Sequence, residues 1–96
     1  MNLCGIIIVN GDWNKNVDSK TELLVILMEE CAEVSQAASK MIRFDKTHDE
    51  LARELGDLLC MICLAQSRFG ISDEDLNHYA SLKREKLKTF SSLIPK

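Results

Sequence analysis

Residues 23–34 read Leu-Leu-Val-Ile-Leu-Met-Glu-Glu-Cys-Ala-Glu-Val. Around them the positions Leu23, Leu27, Glu30, Val34, Ala37 and Met41 recur in alternating steps of four and three. That is the period of one face of an α-helix in a helical bundle. Glu30 stands in this seam, where an apolar residue belongs. A second segment, residues 54–65, reads Glu-Leu-Gly-Asp-Leu-Leu-Cys-Met-Ile-Cys-Leu-Ala. It carries the stripe Leu51, Leu55, Leu58, Ile62, Ala65 and Phe69, and beside it Glu50, Glu54, Asp57, Met61, Leu64 and Arg68. From Leu55 to Ala65 the only charged residue is Asp57. A helix that is apolar on every side is expected to be buried on every side. Three helices from a chain this short do not surround one of their own number. The sequence therefore predicts a homo-oligomer, a dimer or a dimer of dimers.

Helix boundaries follow from local chemistry. Ser19-Lys20-Thr21-Glu22, Thr47-His48-Asp49-Glu50 and Ser72-Asp73-Glu74-Asp75 each resemble a capping box, the last with Asp in place of Glu. In such a box the hydroxyl accepts from a free backbone N–H, and the acid reaches back to the cap residue. Helices are predicted over residues 20–43, 48–69 and 73–90. Gly70 is placed to end the second, since glycine takes the left-handed conformation common after a helix. The short linkers predict antiparallel neighbours. The fold class is all-α: one domain over 1–96, with an arm at 1–18 and a helical core at 19–90. Cys4-Gly5-Ile6-Ile7-Ile8-Val9 has strand composition but no evident partner, so the arm is expected to pack on the bundle, anchored by Trp13.

Composition agrees. The chain has 96 residues, 46% hydrophobic and 28% charged, with one Pro and four Gly. Few helix breakers and few aromatics favour helices. The net charge of −3 hides an asymmetry: residues 1–80 are strongly acidic and residues 81–96 basic. An acidic body argues against general nucleic-acid binding. No apolar run reaches the roughly 20 residues of a membrane span, and no basic region opens a signal peptide. Cys4, Cys31, Cys60 and Cys63 do not form the framework of a small secreted protein. A reduced, cytoplasmic protein is expected.

The chemistry resides in two acidic motifs. Glu30 and Glu33 lie three residues apart, on one helix face, and Glu54 and Asp57 repeat the spacing. If the first two helices pack antiparallel, all four carboxylates converge. Such a cluster is costly unless protons or cations neutralise it. Four oxygen donors suit a hard divalent ion, Mg²⁺ or Mn²⁺. Carboxylate-bound Mg²⁺ takes substrate phosphates at its open positions, so metal-assisted attack of water on a phosphate is the implied chemistry. Gly56, inside this helix, costs roughly 0.5–1 kcal/mol relative to Ala and points to a close approach by a helix or ligand.

Glu29-Glu30-x-x-Glu33, a gap of 20 residues, then Glu54-x-x-Asp57 with Leu58-Leu59 resembles the EExxE…ExxD signature of the MazG-like all-α nucleoside triphosphate pyrophosphohydrolases. The likeness covers about residues 20–90, and Ala38-Ser39-Lys40, Ile42-Arg43-Phe44 and Lys83-Arg84-Glu85-Lys86-Leu87 resemble small stand-alone phage and bacterial members. The resemblance implies an oligomeric bundle and Mg²⁺-dependent hydrolysis of a nucleoside triphosphate to monophosphate and pyrophosphate, in nucleotide-pool housekeeping. It implies Glu30, Glu33, Glu54 and Asp57 as metal ligands, Glu29 as an assisting catalytic acid, and Lys83 and Lys86 as phosphate-binding residues. The last-helix Asn of some relatives has no counterpart here, and Cys63 stands where some carry Asp or Asn.

Two other functions fit parts of the pattern: a phosphoribosyl-ATP pyrophosphohydrolase, and a non-enzymatic helical dimerisation module. Cys60-x-x-Cys63 lies mid-helix, unlike a redox site at a helix N-terminus, and is expected to pack in the core. Asp75-x-x-His78 is a lone pair, short of the motifs a di-iron site requires.

Overall fold

A computed structural model describes residues 18–96 of the chain. Three α-helices follow in order: α1 (Ser19–Phe44), α2 (Asp49–Phe69) and α3 (Asp73–Phe90). They lie within a residue or so of the predicted spans, and the all-α class holds. The expectations for the arm and Trp13 lie outside the described residues.

Two of the three helix starts differ from the sequence reading. The cap of α1 is Asp18, not Ser19: Asp18 Oδ1 accepts from the Thr21 backbone N–H at 2.9 Å, and Oδ2 accepts from the Thr21 hydroxyl at 3.1 Å. A carboxylate outcompetes a hydroxyl here because it adds charge at the positive end of the helix dipole. Ser19 Oγ instead accepts from Arg68 at the far end of α2. At α2 the cap position falls to His48, whose side chain makes no capping bond. Thr47, the expected cap, turns its hydroxyl to Asp49 Oδ2 at 3.2 Å. Ser72 caps α3 as read, accepting from the Asp75 N–H at 3.0 Å.

The helix ends follow from backbone freedom. Gly70 ends α2 at φ +69°, a left-handed conformation that glycine adopts without steric cost. Asp45 ends α1 in the same region at φ 51°, ψ 43°; Asp is among the few non-glycine residues that visit it. These two reversals set the connections.

α1 and α2 pack against one another as an antiparallel hairpin. Its buried residues are Ala37, Met61 and Cys63. Lys40 Nζ, near the connected end, meets Glu50 Oε1 at 3.2 Å. α3 departs from the expectation of consecutive packed neighbours: it makes almost no packing contact with either described helix. Among the described residues its first turn is tied to α2 where Gln66 donates to Asp73 Oδ1 at 2.8 Å. The radius of gyration is 16.0 Å, against about 12 Å for a compact domain of this length.

The described helices leave much apolar surface uncovered. Leu24 and Met28 on α1, Leu55 and Leu59 on α2, and Tyr79, Leu82 and Phe90 on α3 are all exposed. On the antiparallel hairpin, Leu24 and Met28 share a side with Leu55 and the half-buried Leu51, Leu58 and Ile62. No described helix approaches Gly56 closely: a Cβ there would find nothing within 4 Å. Cys60 is exposed and free, not core-packed, and Cys31 is likewise exposed and free. Cys63 is buried, as its apolar stretch predicts.

The two candidate caps of α1 separate by mutation. Asp18→Ala is expected to lower stability by about 1 kcal/mol, while Ser19→Ala costs less than half of that. Thermal melts of both variants read this directly, and a larger loss from Ser19→Ala contradicts the assignment of the cap to Asp18.

Candidate metal centre

Glu30 and Glu33 on α1 meet Glu54 and Asp57 on α2 in the middle of the hairpin. One oxygen from each carboxylate lies within 4.8 Å of the other three. Helical spacing accounts for each pair, since residues three apart lie one above the other on a helix surface. Antiparallel packing accounts for the meeting of the pairs. The surrounding seam residues, among them Leu27 and Val34, are half-buried, and so are Glu30 and Glu54, while Glu33 and Asp57 open to solvent. The Glu54 side chain is only 14% exposed.

Two oxygens reveal what the cluster lacks. Glu30 Oε2 and Glu54 Oε2 are both shielded from solvent and accept no hydrogen bond. A buried carboxylate oxygen without a donor carries an uncompensated desolvation penalty. A cation between the four side chains would satisfy both. Oxygens on opposite sides of one Mg²⁺ lie about 4.2 Å apart, twice a bond of about 2.1 Å. The four donors are thus within a small side-chain adjustment of one ion's shell, and the all-oxygen set suits a hard divalent cation.

Protonation tells the same story. Burial, followed by the charges of Asp57, Glu54 and Glu29, pushes the Glu30 carboxyl above its ordinary value. Glu54 is also raised, first through a hydrogen bond to the Glu33 carboxylate that favours the protonated form, then through burial and the charges of Glu33 and Asp57. Arg53 opposes that rise, its Nε lying 3.8 Å from Glu54 Oε1.

The other sequence candidates fall elsewhere. Glu29 is exposed, one position along from Glu30, and close enough for its charge to act on that carboxyl. Lys83 and Lys86 are exposed on α3, and among the described residues no hydrogen bond or ion pair joins either to the acidic cluster. Lys83 instead borders a shallow cavity of about 440 Å³ with Asn77, Ser81, Arg84 and Ile94. Arg53 is a further residue beside the cluster. Its position directly before the first acid of the second motif was the available signal.

The raised carboxyls fix the direction of a pH effect. In the metal-free chain Glu30 and Glu54 keep their protons to higher pH than they do when unfolded. The folded state then binds more protons above the ordinary value of 4.5, and stability falls as pH rises through that window. Asp18 and Glu50 are lowered, by the Thr21 backbone N–H and by Lys40 respectively, so their contributions fade only below their ordinary values. Melts in chelator are expected to show the fall above pH 4.5, with added divalent cation reversing it at the upper end. A metal-free stability that climbs through this window contradicts the assignment.

The comparisons with known proteins bear on the same segment. The MazG nucleotide pyrophosphohydrolase domain matches residues 18–88, which include all three helix starts and all four clustered acids. Comparison with curated proteins and with solved structures gives no match. With that match over most of its length, the chain belongs to the MazG nucleotide pyrophosphohydrolase domain family.

Proposed function

We propose that the protein is a Mg²⁺-dependent nucleoside triphosphate pyrophosphohydrolase that releases a nucleoside monophosphate and pyrophosphate. The observation that carries this reading is the convergence of four carboxylates within 4.8 Å, two of them with shielded, unpartnered oxygens, inside the segment that matches the family. Glu30, Glu33, Glu54 and Asp57 would hold the ion. Bound there, Mg²⁺ would neutralise the acids and polarise the substrate phosphates.

The chain's own residues do the rest. Glu29 is exposed beside the cluster and is not one of its four converging acids. It is suited to orient a water and accept its proton as the oxygen attacks the α-phosphorus. The bond from that phosphorus to the bridging oxygen breaks, and its electron pair leaves with pyrophosphate. Arg53 beside Glu54 opposes the rise of that carboxyl and so favours the ionised form a cation needs. Nucleotide-pool housekeeping in the cytoplasm is the role this activity fits.

The chain works as a homo-oligomer in this reading. Among the described residues the hairpin is one layer thick and bares a broad apolar side, and α3 makes almost no contact with either hairpin helix. A second copy covering that side buries Leu24, Met28 and Leu55. It also provides a way for Lys83 and Lys86 to reach phosphates bound at the acids, as cationic donors.

Product analysis across ribo- and deoxynucleoside triphosphates tests the reaction. Chelator-sensitive formation of monophosphate with pyrophosphate is expected. Glu30→Gln and Asp57→Asn should each lower kcat by at least about 100-fold while far-UV circular dichroism stays helical. Release of inorganic phosphate, or a fully active Asp57→Asn enzyme, contradicts the reading, and cleavage of phosphoribosyl-ATP alone replaces the substrate class.

A further inference from the structure

The turn between α1 and α2 borders an open, shallow cavity of about 620 Å³ that none of the four clustered acids lines. Phe44, Lys46, Thr47, Asp49, Glu50 and Arg53 border it. Three features of this cavity bear on what it takes. The first is its position. Arg53 lines it and also sits 3.8 Å from Glu54 of the cluster. Along α2, Asp49 lies about 7.5 Å from Glu54 and about 12 Å from Asp57 at 1.5 Å per residue. A group linked to a phosphate bound at the acids reaches that far.

The second is its charge. The ionised groups around it are of both signs, Asp45, Asp49 and Glu50 against Lys46 and Arg53. Glu50 Oε1 accepts from Lys40 at 3.2 Å, Arg53 faces Glu54, and Asp49 lies against His48 and accepts from the Thr47 hydroxyl. Such a lining repels a polyphosphate no less than it attracts one. It offers carboxylates, a hydroxyl and backbone groups to a neutral ligand rich in hydrogen-bonding groups.

The third is Phe44. The ring is 59% exposed at the end of α1, and among the described residues no apolar side chain is shown covering it. The Arg43 guanidinium lies 4.9 Å from its centroid and is itself fixed by a 3.0 Å hydrogen bond from Nε to Ser39 Oγ. The ring is thus held from one side, and the rest of it borders the cavity. An aromatic face presented in this manner stacks on a planar heterocycle.

We infer that the α1–α2 turn holds the nucleoside end of the substrate, with Phe44 stacking on the base and Asp49 accepting from sugar or base donors. This deepens the proposed reaction and rests on it. It assigns recognition of the base to the turn, and phosphate chemistry to the hairpin's middle. Phe44 is a specificity-determining residue in this arrangement and takes no part in the chemistry.

The test is an NMR titration of the full-length protein in chelator with a panel of nucleoside monophosphates, and separately with pyrophosphate. The monophosphates are expected to shift the amide signals of Thr47, Asp49 and Arg53 and the ring signals of Phe44, and pyrophosphate to leave them in place. Phe44→Ala, at an exposed site, should weaken monophosphate binding about tenfold, and Phe44→Trp should preserve it. Monophosphates that bind without moving the turn overturn the inference, as do equal shifts from pyrophosphate, or a Phe44→Ala protein that binds as tightly as the parent. The product assay on the parent protein judges the reaction class separately. Triphosphate cleavage with a silent turn therefore rejects this inference alone.

Discussion

Four carboxylates are gathered in the seam of a helical hairpin, and their mutual repulsion shapes the structure around them. Apolar contact along α1 and α2 brings the acids together. Burial and proximity then raise the carboxyls of Glu30 and Glu54, and leave one oxygen of each shielded without a donor. A hairpin selected for stability alone would place Leu at these positions. Charge repulsion that packing must oppose is what a bound cation would relieve.

The same constraint explains the remaining architecture. A two-helix layer can enclose a site in its seam only by leaving its outer sides bare. Leu24, Met28, Leu55 and Leu59 accordingly face outward, and α3 extends from the hairpin tied by little more than the Gln66–Asp73 contact. A second copy would supply both the missing cover and the missing cations. The division of labour along the hairpin follows as well. Acids occupy its middle, while charges of both signs and an exposed aromatic occupy its turn.

The parts legible in the sequence were those set by period and by local chemistry. Alternating steps of four and three located α1 and α2, and Gly70 and Ser72 marked the reversal between α2 and α3. Glu30 in an apolar seam and Asp57 alone in an apolar run identified the acids that meet. What escaped was competition between equally suitable neighbours: Asp18 displaced Ser19 as a cap because it adds charge, and Thr47 bonded Asp49 in place of a backbone N–H. Cys60 read as core because its stretch is apolar throughout, yet the described helices do not cover it. The position of α3 was invisible for a related reason. An amphipathic helix specifies that it needs a partner, not whether that partner belongs to the same chain. The roles of Arg53 and Phe44 depend on a cavity formed by a reversal, which no linear spacing encodes.

The central claim is that Glu30, Glu33, Glu54 and Asp57 act together as one cation site. Calorimetric titration of the metal-free protein with Mg²⁺ and with Mn²⁺, run in buffers of different ionisation enthalpy just above the ordinary carboxylate range, measures both binding and proton release. The account predicts binding accompanied by release of protons from the raised carboxyls, and loss of both when Glu30 or Glu54 is replaced by Gln. Binding without proton release, or binding that survives those substitutions, would place the cation elsewhere and contradict the account.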